Sequence, residues 1–142
     1  MKILILAIGR LKEEFWAAAD LEYRKRLRHY ATVEIREVKD DAALLAALPP
    51  RATLIVLDER GEQLSSDELA RKILGAEEQH GGGATLAFEI GGAEGFSAEV
   101  RKRAARMVAF GRITLPHRIA RIVLLEQIYR GFTILRGEPY HK

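Results

Sequence analysis

Apolar positions run along the chain in short blocks whose spacing switches between strand-like and helical. Lys2–Ile8 is a short apolar run ending at Gly9 and reads as a buried strand. Residues 11–30 place Phe15, Ala18, Ala19, Tyr23 and Leu27 near helical spacing. Thr32–Val38 alternates Val33 and Ile35 with Glu34, Arg36 and Glu37, which predicts a strand. Residues 42–48 predict a short helix that Pro49 and Pro50 stop. The segment 53–57 is β-branched and strand-like. Ser65 and Glu68 form a capping-box pair that opens a helix to about Gln79. Gly81, Gly82 and Gly83 read as a turn, 84–90 as a strand, and Ser97 as the cap of a helix reaching about Met107. Another strand is predicted over 108–115, and Pro116 suits the first turn of a last helix.

Strand and helix in alternation predict an α/β fold, with a mostly parallel sheet and helices on both faces. A length of 142 residues suits one domain spanning 1–142, and no internal repeat or linker divides it. In such sheets ligands bind outside the C-terminal ends of the strands. Three loops fall there: 57–61, the glycine-rich Gly91, Gly92, Ala93, Glu94, Gly95, and the run Phe110, Gly111, Arg112, Ile113, Thr114, Leu115. The glycine loop is not G-x-G-x-x-G, so the dinucleotide fingerprint is absent, as are Walker-type phosphate loops.

The last helix is apolar on nearly every side through Ile119, Ile122, Val123, Leu124, Leu125 and Ile128. Such a helix expects burial against more than one surface. His117, Arg121, Glu126 and Arg130 interrupt it, and Glu126 and Arg130 stand in the favourable i,i+4 order. A tail with Pro139, Tyr140 and His141 follows. Charges in a near-buried helix, followed by a titratable tail, point to a site at a subunit boundary and a homodimer.

Charge adds a direction. Net charge is only +3, but residues 101–142 hold 10 Lys+Arg against 2 Asp+Glu. Eight of those ten are arginine, whose planar fork suits phosphate and base stacking. The asymmetry points to a polyanionic partner. No apolar run is long enough to span a bilayer. There are no cysteines, which excludes disulfides and thiolate metal sites and fits a cytoplasmic location.

The blocks KILILAIG, LDERGEQLSS, IGGAEG at 90–95, ITLPH at 113–117, Arg121, EQIYR at 126–130 and the closing PYHK occur in one order. In that order the chain closely resembles the SPOUT-class family of ribosomal RNA large subunit methyltransferase H, which N3-methylates a pseudouridine of 23S ribosomal RNA. The resemblance covers essentially the whole chain. It implies a C-terminal trefoil knot, which folding rules alone argue against, a homodimer, and S-adenosylmethionine as cofactor without a metal. Carried over by position, the cofactor contacts are Leu57, Gly91 and Phe110, Gly111, Arg112, Ile113, Thr114 and Leu115. The tail completes a composite site, with His141 as candidate base, Tyr140 stacking on or hydrogen-bonding the target base, and Arg121 or Arg130 steadying negative charge. The partner is then ribosomal RNA, with the assembled ribosome as the expected substrate. An RNA- or ribosome-binding module without chemistry, or a SPOUT enzyme acting on tRNA, remains open. Two features depart from the family: the segment between Val38 and Thr53 is short, and Glu89 stands where relatives carry an apolar residue. A buried carboxylate there needs a partner.

Overall fold

The computed structural model describes residues 1–80, 84–91 and 95–140. The glycine turn at 81–83, the middle of the glycine loop at 92–94, and His141 lie outside the described residues. Five strands form one sheet in the order β2-β1-β4-β3-β5, and every neighbouring pair is parallel. They are β1 (Lys2–Ile8), β2 (Thr32–Val38), β3 (Thr53–Gln63), β4 (Thr85–Ile90) and β5 (Arg106–Ala109). The helices are α1 (Glu14–Leu27), α2 (Asp41–Ala47), α3 (Ser66–Leu69), α4 (Ala76–Gln79), α5 (Ala98–Arg103) and α6 (His117–Arg136). A π-helical stretch, Ala70–Gly75, joins α3 to α4. Among the described residues no helix is long and apolar enough to cross a membrane.

The β1 and β2 bounds coincide with the sequence pattern, and the capping box at Ser65 and Glu68 is formed. Three elements differ. β3 does not stop at Leu57 but continues to Gln63, with a register break against β5 between Leu57 and Glu62. Val108 pairs with both Leu57 and Glu62, so the four residues between them bulge out of the ladder. Gly61 makes this possible: a Cβ there would lie 2.6 Å from the Met107 carbonyl carbon. Second, α5 ends at Arg103 rather than near Met107. The Ala105 N–H donates to the Leu54 carbonyl, and Arg103 Nη2 donates to the Ala52 carbonyl at 2.7 Å. Those bonds turn the chain onto the sheet edge and start β5 at Arg106. Third, 110–115 is not strand but an irregular connection into α6.

Each sheet face carries a core. On one, Ile3, Ile5, Ile55, Leu86, Phe88 and Ile90 pack with residues of α1, the α3–α4 unit and α6. On the other, Leu4, Leu6, Leu54, Val56 and Ala87 pack with Leu44 of α2 and Val100 of α5. Within α6, Leu124, Leu125, Ile128, Tyr129 and Phe132 are buried inside the one chain. Ile119, Ile122 and Val123 are half-buried. Most of the apolar excess that the sequence places at a subunit boundary is therefore already covered by α1 and the α3–α4 unit.

Candidate functional site

The three strand-end loops converge. Leu57 precedes the bulge in β3, Gly91 follows β4, and Phe110 follows β5; all three line one cavity of about 790 Å³. That volume lies in the range of small-molecule sites. Ile90, Val108 and Leu115 contribute apolar wall, and the β3 bulge brings Asp58, Glu59 and Arg60 over it. Thr114, Pro116, His117 and Ala120 complete the side toward α6. Ile113 also lines it while remaining 75% exposed, as a residue at the mouth does.

Polar contacts set the shape of the mouth. Asp58 Oδ1 accepts from the Arg60 N–H at 2.9 Å, and Asp58 Oδ2 accepts from Arg60 Nη2 at 3.1 Å. The Arg60 bond holds the Asp58 carboxyl below the usual range against the opposing effect of burial. Thr114 Oγ1 donates to Glu59 Oε2, tying the β3 bulge to the 110–115 run. His117 packs on the end of β1: a Cβ on Gly9, whose φ is +121°, would lie 2.8 Å from His117 Cε1. Burial, reinforced by Arg118 and Arg121, pushes the His117 imidazole down, so it is neutral at neutral pH. The sequence marks His117 only as a polar break in the last helix and does not place it in the cavity wall. Its direct sequence position after Pro116 gives no sign of that wall.

Gly91 meets the ring of Phe96, another wall residue. An added Cβ would lie 2.7 Å from Phe96 Cε1. Gly91→Val is therefore expected to push Phe96 across the cavity and abolish ligand binding, with the fold retained. Calorimetric titration beside a thermal melt checks it; unchanged affinity in a folded variant would show that the loop is only a turn.

The remaining predicted site residues lie elsewhere. Arg121 is buried on α6 and is not part of the cavity wall. Its Nε donates to Asp20 Oδ2 and its Nη1 to Glu37 Oε2, each at 2.8 Å. It ties α6 to α1 and β2. Arg130 donates to Glu126 Oε2 at 2.6 Å, and the Tyr140 hydroxyl donates to the same oxygen at 2.8 Å. Burial pushes the Glu126 carboxyl up, but the Arg130 and Tyr140 bonds outweigh it and hold it low. The Arg130 guanidinium lies 4.4 Å from the Tyr140 ring centre, and Tyr129 meets that ring edge-on at 5.3 Å. Burial and the Glu126 bond raise the Tyr140 phenol far above its ordinary value. A helix rises 1.5 Å per residue, so Glu126 and Arg130 lie about 9 and about 15 Å along the axis from Ala120 at the cavity. Within one chain the cavity and the tail cluster are two separate places.

The family described as "Predicted SPOUT methyltransferase" matches residues 1–141. The chain belongs to the SPOUT methyltransferase family. It is thus an enzyme that moves a methyl group, and the parallel sheet with its strand-end cavity is the SPOUT fold. The chain is 46% identical to the protein named "Ribosomal RNA large subunit methyltransferase H" of Geotalea uraniireducens (strain Rf4), over 99% of both chains. It is 44% identical to the protein of the same name from Anaeromyxobacter dehalogenans (strain 2CP-C), over 100% of both. The first alignment runs over 154 positions, so at least 12 of them have no counterpart in this 142-residue chain. Among solved structures, a "probable methylase family protein" from Haemophilus influenzae Rd KW20 superposes with a TM-score of 0.55 at 11% identity. The match covers 95% of this chain and 66% of that one, and it speaks for the fold alone.

Proposed function

We propose that this protein transfers the methyl group of S-adenosylmethionine to N3 of a pseudouridine in large-subunit ribosomal RNA, in the assembled ribosome, as a homodimer. The observation that carries the reading is the convergence of Leu57, Gly91, Phe110, Ile113, Thr114 and Leu115 on one cavity; of the expected cofactor contacts, Gly111 and Arg112 do not line it. The residues present fit that cofactor: apolar wall for an adenine, a side-chain-free Gly91 backed by the Phe96 ring, and the Asp58 and Glu59 carboxylates for a ligand bearing positive charge. When bound, the cofactor supplies an electrophilic methyl on sulfur. The chain's own task is alignment, which is worth about 7–11 kcal/mol of a barrier, and removal of the N3 proton. His141 is the base in this reading, and Tyr140 with Arg130 contacts the target nucleotide. The cavity and the tail cluster stand apart within one chain, so the reading has one protomer's tail serve its partner's cavity. The half-covered Ile119, Ile122 and Val123 of α6 provide the dimer face. The knotted C-terminal threading belongs to the same reading.

The test is titration with S-adenosylmethionine, followed by methyl transfer to ribosomes from a strain lacking the modification. Cofactor binding without transfer to ribosomes, but with transfer to tRNA, would move the substrate. No cofactor binding would leave an RNA-binding module.

The basic C-terminal part divides in two. Arg103 is committed to backbone carbonyls, and Arg106 to Glu62 and the Lys72 carbonyl. Arg101 and Lys102 are exposed, and Arg101 is near enough to Asp58 to act on its carboxyl. The phosphate contacts are therefore assigned to Arg101 and Lys102. Replacing both with Ala is expected to reduce the slope of log affinity for ribosomes against log salt by about one to two. An unchanged slope would assign them to solvent.

A further inference from the structure

Glu89 is 0% exposed, and neither of its carboxyl oxygens makes a hydrogen bond among the described residues. It shares the α2–α5 face of the sheet with Ala87. Its strand partners, Leu6 on β1 and Val56 on β3, are apolar, as is Val100 of α5 on that face. The charged group that acts on it is Asp41, in the first turn of α2. Asp41 Oδ1 is likewise buried without a bond, while Asp41 Oδ2 accepts from the Ser97 N–H at 2.6 Å. Ser97 directly follows Gly95 and Phe96, which both line the cavity.

A fully buried carboxyl facing another, one oxygen of which is also buried, ionises only at a large penalty. A single proton between them supplies the bond that each lacks. We infer that Glu89 is a positioning residue for the methyl donor: it shares one proton with Asp41, which anchors the cavity wall at Phe96 through the Ser97 amide. The cofactor part of this inference rests on the S-adenosylmethionine reading above.

The pH window follows from the environment. Burial, and then the Asp41 charge, raise the Glu89 carboxyl to about 8. The folded-state value lies above that of an exposed glutamate. The protonated arrangement is therefore complete at acid pH, mostly retained at neutral pH, and lost as pH rises through about 8. Above that, two buried negative charges face each other and the Ser97 anchor loosens. If only the protonated form holds the wall, the competent fraction falls to about one in ten at pH 9, and the cofactor Kd rises about tenfold from pH 7.

The experiment compares wild type with Glu89→Gln, whose amide donates to Asp41 at every pH. S-adenosylmethionine Kd is measured by calorimetry from pH 6.5 to 9.5. The ligand's own amine titrates in both proteins and cancels in their ratio. The ratio of wild-type to variant Kd is expected to be near one at pH 7 and about ten at pH 9. A ratio that stays constant overturns the inference, as does a variant that is folded yet loses affinity at pH 7. The Ser97 amide resonance of the ligand-free protein is followed over the same range. It is expected to titrate in wild type near pH 8 and to stay fixed in Glu89→Gln. If wild type binds no S-adenosylmethionine at any pH, the cofactor reading fails, and the Ser97 titration alone decides the coupling: a flat profile overturns it.

Discussion

Asp20→Ala is expected to destabilise the protein by about 3–5 kcal/mol, the range seen when one partner of a buried ion pair is removed. Asp20 and Arg121 have side chains only 2% and 8% exposed, and they meet at 2.8 Å. Removing Asp20 leaves the guanidinium buried with Glu37 alone on its other side. It also frees Arg24, which bonds Asp20 at 2.5 Å. Urea unfolding with and without the substitution measures the loss. A cost under about 1 kcal/mol would mean that Arg121 reaches water or another acceptor. The outcome bears on function, because Arg121 is also a candidate for steadying charge in the reaction. If Asp20→Ala and Arg121→Ala destabilise alike, a fall in activity of the arginine variant reports a loosened α1–α6 joint. Activity per folded molecule, at a temperature where both variants are native, separates the two roles.

The partners of Arg121 show where sequence reasoning stops. The residue stands out in the sequence as a charge inside an apolar helix, but Asp20 lies 101 positions away. Nothing local names the acceptor, and the same pattern serves a buried strut or a free catalytic cation. Short-range features were readable because their causes are short-range. The apolar run of β1, the alternation in β2, and the Ser65 and Glu68 caps each form as their residue types dictate. The sequence ends β3 too early because its second half, from Asp58 to Gln63, has no apolar alternation, and only Glu62 and Gln63 of it pair with β5 after the bulge. The end of α5 was missed because Ala104, Ala105 and Met107 suit a helix; the Arg103 clamp and the Leu54 carbonyl decide otherwise. The π-helical stretch left no sign in the pattern.

The site was more legible than these bounds. Its loops sit at strand ends, and parallel topology places strand ends together whatever the exact residue at which a strand stops. That is why Leu57, Gly91 and Phe110 share a cavity although two of the three adjoining strands were misjudged in length. Glu89 was legible as an anomaly and not as a device. Its neighbour Asp41 and the Ser97 bond come from different crossovers, which no spacing in the chain connects.

Deleting 140–142 is expected to cost about 1–2 kcal/mol of stability and about 10²–10⁴ in turnover. The stability loss is small because, among the described residues, the tail is held by the Tyr140 hydroxyl on Glu126, its interaction with Tyr23, and ring contacts with Arg130 and Tyr129. The turnover loss is large because the proposed base and the proposed aromatic platform go together. S-adenosylmethionine affinity should hold, since the tail cluster is not part of the cavity wall. Single substitutions divide the effect. Tyr140→Phe removes the hydroxyl's bond to Glu126 and its interaction with Tyr23 and keeps the ring, so it tests docking of the tail. His141→Ala removes the imidazole, whose ordinary titration near neutrality suits proton transfer. If His141 takes the N3 proton, raising the pH should partly rescue that variant, because solvent then accepts the proton. Single-turnover methylation of hypomodified ribosomes across pH measures all three. Sedimentation of each variant reports whether the dimer persists. A wild-type rate for His141→Ala would remove it as the base. Mixing the tail-deleted chain with a Gly91→Val chain decides where the tail acts. Each chain alone is expected to be inactive, but in a mixed form of the proposed dimer the intact tail of one chain meets the intact cavity of the other. Recovered activity in the mixture places the tail in its partner's site; none would return it to its own.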